Sequence, residues 1–261
     1  MCVSVHAANA PSATLVEQGY RQMYNLDFDA AHRSFEQWQR LHPDDPLGPV
    51  SDAAAYLFGE FDRLHILQSQ FFIEDSTFRG MSKPAADQQV HRRFEDDLEK
   101  GRKLSDVILR RSPRDKDATF ATVLRMGLRA DYLSLIEDRN LQALSEMKNG
   151  RMLAEKLLST DPGYYDAYLA VGVENYMLSL KSAPARWLLR LSGAQTSKEQ
   201  GIQKMKLVAQ HGHYLQPFAR LLLAVQNLRD KNVAAAKELL SGLARDFPGN
   251  RLYAHELEKL R

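Results

Sequence analysis

Two places in this 261-residue chain hold residue types that could do chemistry. Glu174 stands two residues before Tyr176 in an aromatic-rich stretch that reads as helix, where burial would raise a carboxyl's proton affinity toward the range used in acid–base catalysis. A carboxylate bonded to a neighbouring helix gives the same pattern without any reaction, and that reading is preferred. His211-Gly212-His213 sets two imidazoles one residue apart, but no acidic or cysteine ligands cluster with them, and a Gly-containing turn between helices accounts for them. The motifs that commit a chain to catalysis are missing: there is no glycine-rich phosphate loop, no His-Glu-x-x-His helix, no Gly-x-Ser-x-Gly elbow, and Cys2 is the sole cysteine. The expectation is a non-enzymatic protein that needs neither metal nor cofactor.

Charge and hydropathy narrow the partners. The 35 basic and 33 acidic residues leave a net charge of +2 and are interspersed, so there is no one-sided basic stripe for nucleic acid. No apolar run approaches the ~18 residues of a membrane span. Only 14 glycines and 10 prolines interrupt the chain, which fits a molecule that is mostly helix.

The elements that would position binding residues are legible from four prolines, Pro43, Pro113, Pro162 and Pro248, each closing a helix-like stretch. Leu15, Gly19, Met23 and Tyr24 line one face, Asn25-Leu26-Asp27 makes a tight connection, and Phe28, Ala31, Phe35 and Trp38 recur at three- and four-residue steps. Gly19 and Ala31 are expected where the two helices cross, with Phe28 and Phe35 filling the space between hairpins. Counting back from the other prolines, Gly101, Gly150 and Ala236 fall at the same small-residue position. Ser105, Ala154 and Leu240 follow them, and then Ile108, Leu157 and Leu243. The prolines are unevenly spaced, so the repeats carry insertions. Ala53 to Leu67 with Phe71-Phe72 reads as a second hairpin, Gly80 to Pro84 as a loop before a long helix toward Arg111. Further helices are expected over 118–136, 141–158, 197–209, 217–228 and 233–247, with 252–260 as a cap.

Across nearly its whole length the chain resembles the tetratricopeptide-repeat superfamily, most strongly at Asp27 to Pro43 and Asn232 to Pro248. Residues Gly172 to Gly193 are similar to bacterial repeat proteins often predicted to be exported and, more distantly, to outer-mitochondrial-membrane repeat proteins linked to inclusion clearance. The resemblance implies an all-α, α-α superhelix, a degenerate solenoid of five or six hairpins spanning residues 12–261, that binds a protein or peptide. The first helix of each pair would line the concave side, presenting Val16, Tyr20, Met23 and Tyr24, then Phe120 and Leu124, then Leu169, Val173, Glu174, Tyr176 and Met177, then Leu221 and Val225. Superfamily members that grip a terminal carboxylate use Lys and Asn at several such positions, and this chain has none of that set. The expected ligand is an amphipathic helix or extended peptide held by apolar anchors; the alternative for any one of these residues is plain core.

A second function is open at Lys181, Arg186, Trp187 and Arg190, which mix basic and apolar side chains with no acid among them. Such a segment would suit a membrane interface or lipid handling, although Pro184 interrupts it. Ala8-Asn9-Ala10 has the spacing of a signal-peptidase site, so residues 1–11 are expected to be the remnant of an export signal, with a periplasmic or secreted protein as the outcome, or else a cytoplasmic tail.

Overall fold

The computed structural model describes residues 13–67, 85–179 and 197–261. The export-like Ala8-Asn9-Ala10 and the interfacial Lys181, Arg186, Trp187 and Arg190 lie outside the described residues. Among those described, eleven α-helices and one 3-10 turn (Tyr165–Ala167) follow one another with no strand. The helices pair as α1 (Leu15–Tyr24) with α2 (Phe28–Leu41), α3 (Leu47–Arg63) with α4 (Gln88–Arg111), and α5 (Lys116–Leu135) with α6 (Asn140–Thr160). Then α7 (Tyr168–Ser179) pairs with α8 (Lys198–His211) and α9 (Gln216–Arg229) with α10 (Val233–Asp246), while α11 (Arg251–Lys259) caps α10. Each pair packs on the next, the nearest-neighbour stacking of an all-α helical-repeat solenoid.

Local chemistry sets the helix starts. Thr14 and Glu17 form a reciprocal capping box on α1, while Asp27, Asp87, Asp115, Ser197, Asn232 and Asn250 accept first-turn amides of α2, α4, α5, α8, α10 and α11. Each cap satisfies a donor the helix itself cannot. Two of the connections are the same turn: Leu26 (φ 63°) between α1 and α2 and Lys231 (φ 59°) between α9 and α10 both occupy the left-handed region, and in each the next residue is the cap. Helix α3 begins earlier than expected, at Leu47, because Pro46 takes the N-cap and Pro49 the first turn, where a missing amide costs nothing. Among the described residues its mate is α4; the Phe71-Phe72 stretch lies outside them.

Small residues stand at the crossings of paired helices. A Cβ on Gly19 would overlap the Phe35 ring, so Phe35 fills the inside of the first hairpin rather than the gap to the second, while Phe28 does lie in that gap, against Gly59. On α4 a Cβ at Gly101 would overlap Val50, and on α6 one at Gly150 would touch Met126 at 3.4 Å. Gly201 on α8 plays the same part without a closing proline: a Cβ there would lie 2.7 Å from the Tyr176 amide nitrogen and 2.8 Å from the Gly172 carbonyl. Met205 and Val208 follow it, fully buried, at the same steps as Leu240 and Leu243 after Ala236.

The array also closes on itself. The Gly249 amide donates to Asn25 Oδ1 (3.0 Å) and Asn250 Nδ2 to the Tyr24 carbonyl (2.9 Å). Tyr24 Oη donates to the Tyr214 carbonyl, and Arg251 pairs with Asp62 at 2.8 Å. Rings meet across the same seam, with Tyr20 on Tyr214, Tyr24 on Phe247 and Phe58 on Phe218. The first hairpins are thus bonded to the last, and the inner wall bounds a partly open chamber. Among the described residues, no helix is long and apolar enough to cross a membrane.

Candidate functional site

The chamber has a volume of about 640 Å³ and is walled mainly by the first helix of each pair, α1, α3, α5, α7 and α9. Nine of the residues expected on the concave side lie on it: Tyr20, Met23, Tyr24, Phe120, Leu124, Leu169, Val173, Leu221 and Val225. They converge because α1, α3, α5 and α7 pack on one another in sequence, while the turn before α9 meets α1 and α9 itself meets α3 through the closing seam. Phe58, Phe61, Leu128, Leu215, Phe218 and Leu222 complete the apolar lining.

Three other expected residues, Val16, Glu174 and Tyr176, do not line that wall. Val16, read with them, is also core, at 1 % exposure. Glu174 is turned toward α6, where its Oε2 lies 2.9 Å from Arg151 Nε, and Arg151 also binds Glu155 at 2.7 Å. Burial raises the Glu174 proton affinity and the Arg151 charge lowers it, with burial dominant. Both side chains are under a tenth exposed, so the pair ties α6 to α7 and does not line the chamber. Tyr176 is core against Gly201 at 7 % exposure. Met177 lies on α7 with its side chain outside the described residues.

Among the described residues no group of three or more His, Cys, Asp and Glu is placed to hold a metal ion, at the Gly-containing turn or elsewhere. Gly212 instead lets the backbone approach Asp166, whose carboxylate accepts the amides of His213, Tyr214 and Leu215, each at 3.0 Å. Burial raises the Asp166 proton affinity, and those three donors oppose the rise. His213 Nε2 reaches Glu17 Oε1 at 2.9 Å, adding to the seam.

Most polar groups on the chamber wall are committed elsewhere. Tyr20 Oη accepts from Ser51, Tyr24 Oη donates to Tyr214, and Ser134 donates to Asn140. Glu146 stands 3.6 Å from Arg129 Nε, and Arg229 is engaged in an interaction of its own. Asp131 differs. It is partly buried and lines the chamber. Burial alone pushes its carboxyl up to about 7. The residue one turn before it is Gly127, and a Cβ there would meet nothing within 4 Å, so space is open beside the carboxyl.

Sequence reasoning missed Asp131, although a signal was present. Phe120, Leu124, Gly127 and Asp131 follow at steps of four, three and four on α5, one continuous stripe facing the chamber. A single acid on an otherwise apolar inward stripe marks a polar group that the protein pays to bury. The Asp166 cap was unreadable for another reason, since its partners lie 47 to 49 residues further along.

No known protein-family profile and no curated protein matches the chain.

Proposed function

We propose that this protein is a non-enzymatic binding protein of tetratricopeptide-like build that holds a lipid-like molecule in its inner chamber. The observation that carries this reading is the 640 Å³ apolar space bounded by the first helix of each hairpin. That volume falls within the roughly 300–1,000 Å³ of small-molecule sites. A whole partner helix, about 10–12 Å across, would need an open trough, and the seam between the first and last hairpins occupies that route. An extended peptide would fit in length but not in chemistry. Each of its residues brings an amide and a carbonyl, and helical walls whose own backbone groups are already bonded offer few partners, at roughly 1–3 kcal/mol for each group left unpaired. A hydrocarbon with few polar atoms avoids that cost.

The test is uptake of a neutral environment-sensitive fluorophore such as N-phenyl-1-naphthylamine, together with mass spectrometry of an organic extract of the purified protein. Saturable uptake near one equivalent, displaced by lipid-like competitors and reduced several-fold by the space-filling substitution Leu124→Trp, is the expected result. Absence of saturable uptake overturns the reading and returns the protein to the class of peptide-binding scaffolds.

A further inference from the structure

Building on the reading of the chamber as a lipid-like binding site, we infer that its ligand is a cationic amphiphile, a hydrocarbon chain ending in a protonated amine that the Asp131 carboxylate binds. The chamber walls supply the chain's environment through Phe58, Phe120, Leu124 and Phe218. The partly buried acid they supply with no donor among the described residues is Asp131, because Asp166 is saturated by three amides and Glu146 is paired with Arg129. Asp138, also at the wall, is exposed in the turn after α5.

A partly buried carboxylate with no donor among the described residues is costly in an apolar surrounding, and a hydrogen-bonded cation removes that cost while forming a charge-assisted bond. A neutral alcohol gives an ordinary hydrogen bond, and an alkane leaves the carboxyl as it was. A fatty carboxylate brings a like charge and is disfavoured beside Asp131; Arg229, already engaged in an interaction of its own, is the cationic residue of the described lining. The missing side chain at Gly127 leaves the room that an ammonium head needs next to the carboxyl.

The experiment competes dodecylamine, dodecanol and dodecanoate, each below its micelle concentration at pH 7.5, against bound N-phenyl-1-naphthylamine. In the unmodified protein dodecylamine should displace the fluorophore at a concentration at least about tenfold below dodecanol, with dodecanoate weakest. In Asp131→Asn the amine's advantage should vanish while dodecanol is unchanged, and Gly127→Leu, which fills the head's space, should weaken dodecylamine about tenfold or more. Circular dichroism of each variant checks that it is folded, and the comparison of three heads in the unmodified protein requires no variant. Equal displacement by amine and alcohol, or a preference for dodecanoate, overturns the cationic assignment and leaves the chamber reading standing. Failure of the fluorophore to enter sinks the chamber reading itself.

Discussion

Asp131 is where a single residue's environment makes a prediction that pH can read. Its carboxyl binds a proton more tightly in the folded chain than in the unfolded one, because burial disfavours the charge. The protonated native state is therefore favoured at low pH, and that advantage is lost as pH climbs from about 4 to about 7. Glu146, Asp138, Asp166 and Arg229 share the wall, but none enters the cause of the shift, which is desolvation. Asp131→Asn should thus raise stability at pH 8 on the order of 2 kcal/mol, with the gain fading by pH 4, as followed by urea denaturation across that range. A gain independent of pH would show that the carboxyl is not held as described. Glu174 makes the opposite case. Its Glu174→Gln variant should lose about 3 kcal/mol, since Arg151 would keep only the half-exposed Glu155 as counter-charge.

At the scale of elements, two glycines separate a packing need from an idle one. Gly201 lies where α8 crosses α7, and the atoms its Cβ would meet are backbone, which cannot step aside. Gly201→Ala should cost about 1–3 kcal/mol in chemical denaturation. Gly127 is helical with nothing near its missing Cβ, so Gly127→Ala should stabilise α5 by about 1 kcal/mol, the helix-propensity difference. If both substitutions behaved alike, the crossing would not be the reason for the small residue. The same logic covers Ala31, fully buried inside the first hairpin, where Ala31→Leu should cost about 1–3 kcal/mol.

Over the whole molecule, closure makes the two ends depend on each other although the stacking between them is local. Asn250 joins both scales: its Oδ1 caps α11 and its Nδ2 bonds the buried Tyr24 carbonyl, 226 residues away. Asn250→Ala should therefore raise amide exchange not only in α11 but also in α1, with a loss of about 2 kcal/mol in global stability. An increase confined to α11 would mean that the seam contributes nothing. The Arg251 to Asp62 pair lies on the outside of that seam, with the arginine 68 % exposed, and Arg251→Ala should change stability by less than about 1 kcal/mol.

The sequence by itself determined the repeating unit. Prolines and small residues at fixed steps act within one or two helices, so their spacing is enough to expect Gly101, Gly150 and Ala236 at crossings, whereas Tyr20, Phe120, Leu169 and Leu221 were expected on one inner stripe from the resemblance to hairpin solenoids. The exceptions were also local: Gly201 lacked its proline marker, and α3 hid its start behind prolines that a first helical turn tolerates. Only the tertiary structure decided that the stripe encloses a chamber. Curvature is the sum of small rotations from pair to pair, and no single hairpin records that sum. Whether the Gly249 amide meets Asn25, 224 residues away, is therefore invisible until every pair is in place. The role of Asp131 depends on that closure, since the same carboxyl on an open trough would face water and carry no burden.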